Sequence, residues 1–134
     1  MSEDNRVRAI RWMEENWNER RAEVANELMH PECCGRMEGL EVRSRQDWLQ
    51  ARRELLAAFP DIHIDVEQTV AEEDMVVVRW RASGTHRGDA LGVPASGRPF
   101  EAVGTTWMRF VDGRMVWGYD TWNQGALLAS LSAA

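Results

Sequence analysis

Phe59-Pro60-Asp61-Ile62-His63-Ile64-Asp65-Val66-Glu67 is the stretch in which the chain changes its period. Ahead of it, Trp48, Leu49, Arg52, Leu55, Leu56 and Phe59 recur at i, i+3 and i+4, the spacing of one helix face. Within it, Ile62, Ile64 and Val66 alternate with His63, Asp65 and Glu67, the spacing of a strand with one buried side. Pro60 is the break, because it has no N–H to give a helix and pushes the residue before it out of the helical region. The junction divides the chain into a helical first half and a β-rich second half.

Working back from the junction, Ser44 opens the helix that Pro60 ends, and Ser44-Arg45-Gln46-Asp47 resembles a capping box with Asp in place of the usual Glu. A first helix is expected from Ser2 to about Arg20, capped by Asp4, with Ile10, Met13 and Trp17 on one face. A second, short helix is expected over Ala22–Met29, capped by Asn18 and stopped by Pro31. Cys33 to Leu40 reads as a short strand with a turn at Gly35 or Gly39.

Working forward, Glu72-Glu73-Asp74 is a polar turn and Met75 to His86 a long strand. A Gly/Pro/Ser loop runs from Arg87 to Arg98, and Phe100–Val111 is the next strand. Asp112-Gly113 is a hairpin signal, after which Arg114–Trp122 returns as a strand. A helix over Gln124–Leu131 closes the chain and buries Leu127, Leu128 and Leu131. Helices first, then a run of antiparallel strands, then a closing helix is the α+β order. A long, strongly twisted sheet with helices on its concave face makes a cone whose interior is to be filled by its own side chains or by a ligand. One domain spanning residues 1–134 is expected, with no linker or repeat to divide it.

Composition narrows the function classes. The net charge of −6 argues against nucleic acid and against an anionic membrane as partners. No apolar run approaches the roughly 20 residues of a membrane span. The start, Met1-Ser2-Glu3-Asp4, is acidic and has no apolar signal region. Adjacent Cys33 and Cys34 are poorly placed for a disulfide with each other and read as reduced thiols of a cytoplasmic protein. His30, Glu32, Cys33 and Cys34 are too crowded for a zinc loop, and no second Cys or His pair exists, so no metal is expected. Seven tryptophans fit either a well-filled core and dimer face or an aromatic-lined pocket for a flat organic ligand.

Three stretches carry a family resemblance. Phe59-Pro60-Asp61-Ile62-His63-Ile64 resembles the helix–strand junction of SnoaL-like proteins of the NTF2-like superfamily. Gly84-Thr85-His86-Arg87-Gly88 and Leu91-Gly92-Val93-Pro94-Ala95-Ser96-Gly97-Arg98 resemble their GTHxG segment and the loop that follows it. Phe110 to Val116, Tyr119-Asp120 and Leu127-Leu128-Ala129-Ser130-Leu131 resemble their last hairpin and closing helix. The resemblance implies an NTF2-like cone and no cofactor. It also implies a small hydrophobic or aromatic molecule as ligand and a homodimer through the exposed sheet face, with Trp107 or Trp117 as contacts. Proteins of this pattern include polyketide ester cyclases, which close a ring by intramolecular aldol condensation, and cofactor-independent hydroxylases. More distant relatives include isomerases, epoxide hydrolases and dehydratases, and some have no enzymatic role, so the fold does not choose the chemistry.

Asp120 is the leading catalytic candidate. A carboxylate facing an apolar, Trp-lined cavity loses hydration and its pKa rises, which suits a general acid/base near neutral pH. The resemblance matches it to the cyclases' acid/base Asp. The structural alternative is an outward Asp paired with Arg109. His86 matches the family's GTHxG histidine and could hold a substrate carbonyl or relay a proton; the alternative is a histidine that pins the Gly-rich loop. The cyclases carry a second histidine about fourteen residues before their Asp, and this chain has Thr106 there, a hydrogen-bonding group that stays neutral. Tyr119 adjoins Asp120 in the strand, so the two face opposite sides. The pocket lining is expected to include Trp12, Trp17, Trp48, Phe59, Trp80, Thr106 and Trp122. His63 is expected to face solvent, and His30 to cap the second helix. Arg79 and Arg81 share the face opposite Val78, Trp80 and Ala82. No second strand Asp completes an Asp–Arg–Asp epoxide hydrolase set, and the glycines of the loop form no phosphate cradle.

Three functions follow. The first is a cofactor-independent cyclase, isomerase or hydroxylase of a carbonyl-bearing polyketide-like molecule with Asp120 as acid/base. The second is a non-catalytic module that binds a small hydrophobic ligand, and the third an interaction domain with a self-filled pocket.

Overall fold

The computed structural model describes residues 2–89 and 92–132. Met1 and Leu91, both used in the sequence reading, lie outside the described residues. Ten elements follow one another: α1 (Ser2–Trp17), α2 (Val24–Leu28), β1 (Met29–Met37), β2 (Leu40–Val42), α3 (Arg45–Ala58), β3 (His63–Glu72), β4 (Met75–Thr85), β5 (Pro99–Val111), β6 (Arg114–Trp122) and α4 (Gln124–Ser132).

α3 is built as its sequence dictates. The Ser44 hydroxyl accepts from Asp47 N at 3.3 Å, and the Asp47 carboxylate accepts in turn from Arg43 N at 3.0 Å, so the box closes one residue further back than the standard motif. Its buried face carries Trp48, Ala51, Arg52 and Ala58. Arg52 is inside without a carboxylate partner among the described residues; its guanidinium donates to Asn16 O at 3.2 Å, one of the carbonyls that the end of α1 leaves free.

The β-rich half follows the alternating pattern. β3, β4, β5 and β6 form an antiparallel meander, with Val76, Val78, Trp80 and Ala82 inward on β4 and Thr106, Met108 and Phe110 inward on β5. Asp112 and Gly113 both take positive φ (51° and 82°), as the two-residue turn between β5 and β6 requires. Arg79 and Arg81 sit on the outer face, paired with Glu67 and, for Arg81, with Glu101 as well.

Several expectations change. The strands are not all antiparallel: the six-stranded sheet runs β2-β1-β6-β5-β4-β3, and β1 lies parallel to β6. The sheet is a mixed, open one, curved around the helices rather than closed, and the α+β class holds. The short helix is one turn, Val24–Leu28, and Asn18 does not cap it. Asn18 instead donates to Ile64 O at 2.8 Å and accepts from Ile64 N at 2.7 Å, pinning the start of β3 to the end of α1. Pro31 and His30 lie within β1, so His30 caps nothing; its Nδ1 accepts from Glu32 N at 3.1 Å. Gly39 makes the β1–β2 turn, while Gly35 is inside β1. On α4, Leu127 and Leu131 are buried and Leu128 only partly so. No helix of the described residues is long and apolar enough to cross a membrane.

Candidate active site

Strand register decides which side chains meet. Thr106 on β5 is the partner of Asp120 on β6, and Met37 on β1 is its partner on the other side. Because side chains alternate along a strand, Tyr119 points outward and is exposed, while Asp120 points between sheet and helices. The Asp120 residue keeps some accessible surface because it borders internal cavities, but its carboxyl is withdrawn from bulk water.

Three side chains form a directed chain around that carboxyl. Trp80 Nε1–H donates to Thr106 Oγ1 at 2.9 Å, and Thr106 Oγ1–H donates to Asp120 Oδ1 at 2.5 Å. Indole nitrogen only donates, so the hydroxyl proton is free for Asp120 and the polarity of the chain is fixed. Burial raises the Asp120 carboxyl to about 6, and the Thr106 hydrogen bond, which favours the charged form, offsets part of that rise.

The cavity in front of Asp120 is almost wholly apolar. Its wall includes Met13, Trp17, Phe59, Trp80, Phe100 and Trp122, with Thr106 and the Asp120 carboxyl as its hydrogen-bonding groups near the centre. The void is about 60 Å³, room for a few water-sized spheres. Two of the wall's indole N–H groups are committed, Trp80 to Thr106 and Trp122 to Gln124 Oε1 at 2.6 Å.

Of the residues expected to line the pocket, Trp17, Phe59, Trp80, Thr106 and Trp122 do so around Asp120. Trp12 and Trp48 do not reach this cavity. They stack with ring centroids 4.6 Å apart and border a second, smaller cavity on the far side of Thr106 and Asp120. His86 is also not part of the wall around Asp120: it is fully buried behind Phe59, with ring centroids 5.6 Å apart. Its Nδ1 lies 3.0 Å from Ser96 Oγ and accepts from Ser96 N at 3.3 Å. Its backbone N–H donates to Arg98 O, and its carbonyl accepts from Gly97 N, so His86 ties both ends of the loop together. Arg109 pairs at 3.6 Å with Asp74 on the outer face rather than with Asp120. His63 faces solvent, 3.2 Å from Asp65.

Met37 and Cys33 are the neighbours of Asp120 that sequence reasoning missed. They arrive through the parallel β1–β6 pairing, which no spacing in the chain announces. Cys33 is buried and Cys34 exposed, so the two thiols lie on opposite faces of the strand. Burial pushes the Cys33 thiol up to about 12, with the neighbouring Cys34 and Asp120 adding to the rise.

A curved, mixed six-stranded sheet with helices in its concavity is the NTF2-like architecture. The sequence profile of the SnoaL-like polyketide cyclase family matches residues 7–131, and the chain belongs to that family. Solved structures agree over the full length. A proposed SnoaL-like polyketide cyclase from Jannaschia sp. CCS1 superposes with a TM-score of 0.93 at 25% identity, covering 99% of this chain and 94% of that one. AclR, a proposed hydroxylase from Streptomyces galilaeus, gives 0.86 at 26%, covering 100% and 99%. IdmH, a proposed polyketide cyclase from Streptomyces antibioticus, gives 0.84 at 29%, covering 96% and 99%. No curated protein sequence matches the chain.

Proposed function

We propose that this protein is a cofactor-independent enzyme that closes a ring in a small, hydrophobic, polyketide-like molecule by intramolecular aldol condensation, with Asp120 as general acid/base. The observation that carries the reading is a carboxyl raised to about 6, set in an apolar cavity, with one oxygen held by Thr106 and the other free to meet a substrate. The chain contains no lysine, so carbonyl activation through a Schiff base on a lysine side chain is not open to it. Carbanion formation then falls to a carboxylate.

In the proposed reaction, ionised Asp120 takes a proton from the carbon next to a substrate carbonyl, and the electron pair of that C–H bond becomes an enolate. The enolate carbon attacks a second carbonyl of the same molecule, forming the C–C bond and leaving an alkoxide. Protonated Asp120 returns its proton to that oxygen, so the carboxylate is restored and no co-reactant is consumed. Trp17, whose indole N–H makes no hydrogen bond to another described residue, is the wall residue assigned to hold the first carbonyl oxygen. Trp80 and Thr106 act on Asp120 rather than on substrate.

The test is deuterium exchange at the α-position of simple and polycyclic ketones in heavy water, followed by NMR, with the wild type set against Asp120→Asn. Exchange that disappears in the variant supports the base. Absence of exchange across the panel favours a second reading, a non-catalytic binding module. That module predicts that Asp120→Asn binds aromatic ketones as tightly as the wild type, read by tryptophan fluorescence. Hydroxylase or isomerase chemistry at the same carboxylate is the nearest variation, since Thr106 stands where the cyclases carry a second histidine.

We further propose a cytoplasmic homodimer paired through the outer sheet face. Trp107 is 45% exposed there, with Val103 and Tyr119 beside it on β5 and β6. Light scattering of wild type and Trp107→Glu distinguishes dimer from monomer.

A further inference from the structure

Asp120 and Thr106 border two cavities, not one. The cavity already described lies in front of them; the second lies behind, walled by Trp12, Cys33, Trp48, Met115 and Gly118. Gly118 explains why this second space exists. It occupies an inward-facing position of β6, two residues before Asp120, and contributes no side chain. A Cβ built there would meet Met115 Sδ at 3.2 Å, which places it inside the cavity. Its strand partner Gly35 has no side chain either: a Cβ at Gly35 would lie 1.7 Å from Gly118 O, so the two backbones touch where β1 and β6 run parallel.

The second cavity is backed by β1 and β2. Cys34, Gly35, Arg36 and Val42 line both it and a groove on the outer face of the sheet. Its void is about 20 Å³, enough for one water sphere. Polar partners for such a water are present in the Asp120 carboxyl, the remaining lone pair of Thr106 Oγ1 and the Cys33 S–H.

We propose that this rear cavity is a water site that solvates the Asp120 carboxyl from behind, independently of whatever fills the apolar cavity in front. This inference rests on Asp120 working as an acid/base. It gives the ionised carboxylate a solvating partner while ligand fills the front. The ionisable groups around the carboxyl leave the task to water. Cys33 on β1 stays protonated, Glu38 beyond β1 is engaged by Trp122 N at 2.9 Å, and Arg36 is exposed on the outer face. α1 and α3 present only Trp12 and Trp48 to the cavity.

The experiment needs no substrate, so its failure is separate from a failure of the proposed reaction. A crystal structure of the wild type at about 1.5 Å is expected to hold an ordered water within hydrogen-bond distance of Asp120 on the Cys33 side. Gly118→Ala and Cys33→Val each add about one methyl group, from the adjacent strands β6 and β1, and are expected to displace that water. In both variants the Asp120 titration, followed by carboxyl ¹³C NMR, then moves up by about half a unit or more, because the ionised form loses its solvating partner. Either folded variant suffices should the other not fold. A dry rear cavity in the wild type, or folded variants that titrate like the wild type, overturns the proposal.

Discussion

Thr106 stands between Trp80 and Asp120, accepting from the indole at 2.9 Å and donating to the carboxyl at 2.5 Å. The three residues lie on three adjacent strands, β4, β5 and β6, so the sheet itself sets their spacing. The hydroxyl has one proton, and the indole cannot accept it. Thr106 therefore always presents a donor to Asp120, which stabilises the ionised form that burial disfavours.

Thr106→Val removes that donor and also strands the buried Trp80 N–H. The variant is expected to lose about 1–3 kcal/mol of stability, the cost of an unpaired buried polar group. Its Asp120 carboxyl is expected to titrate above the wild-type value of about 6. Thr106→Ser keeps both bonds and should behave nearly as wild type. Urea denaturation with carboxyl NMR titration checks both, and a Val variant as stable as the Ser variant would mean the chain of bonds contributes nothing.

Asp120→Asn is expected to stabilise the fold at alkaline pH. The folded carboxyl is raised to about 6 from its ordinary value of 3.8. Between those values the folded state binds a proton that the unfolded state has released, so stability falls as pH rises through this window and is level above it. The full penalty is about 2–3 kcal/mol from the shift alone. Denaturation at pH 4 and pH 8 should show the variant close to wild type at the lower value and about 2–3 kcal/mol more stable at the higher. The same substitution abolishes α-proton exchange if Asp120 is the base. Wild-type exchange is correspondingly expected to rise through about pH 6 and then level off.

The change of period at Pro60 placed the helix and the strands, because burial on one face writes itself into residue spacing. The same alternation separated Asp120 from Tyr119. What could not be read was which distant strand lies beside β6. Cys33 and Met37 reach Asp120 through a parallel pairing that depends on how the whole sheet curves around α1 and α3. Asn18, expected to cap the second helix, bonds elsewhere for a chemical reason: an amide that caps a helix can equally imitate a strand backbone, and it does so with both groups of Ile64. His86 carries a motif-like setting whose side chain turns behind Phe59, a rotation that no one-dimensional pattern records.

Gly104 is a position whose need for glycine comes from packing. It pairs with Trp80 on β4 and Trp122 on β6, and the Trp80 ring lies across it. A Cβ there would sit 2.3 Å from Thr121 O and 2.5 Å from Trp80 Cζ2. The carbonyl belongs to the sheet and cannot yield, so Gly104→Ala must displace the indole and break its bond to Thr106. A loss of about 2–4 kcal/mol is expected, overpacking and the stranded N–H together. Near-ultraviolet circular dichroism should report the moved tryptophan. A variant with wild-type stability and spectrum would mean that the strands part easily at this point.

His86 provides the sharpest separation between a loop anchor and a catalytic group. Its ring holds Ser96, its backbone holds Gly97 and Arg98, and neighbouring Arg87 and Gly88 N–H groups donate to Ala58 O at the end of α3. The loop is thereby fastened to the same helix end that carries Phe59 into the cavity wall. His86→Ala leaves a buried hole and frees the Ser96 N–H, at an expected cost of about 2–3 kcal/mol. Proteolysis within residues 87–98 should accelerate. Because the imidazole is not part of the wall around Asp120, the Asp120 titration should stay near about 6 and any α-proton exchange should persist in the folded variant. The reverse pattern, unchanged stability with exchange lost as completely as in Asp120→Asn, would move His86 into the reacting site and require the Phe59 side chain to swing aside when ligand enters.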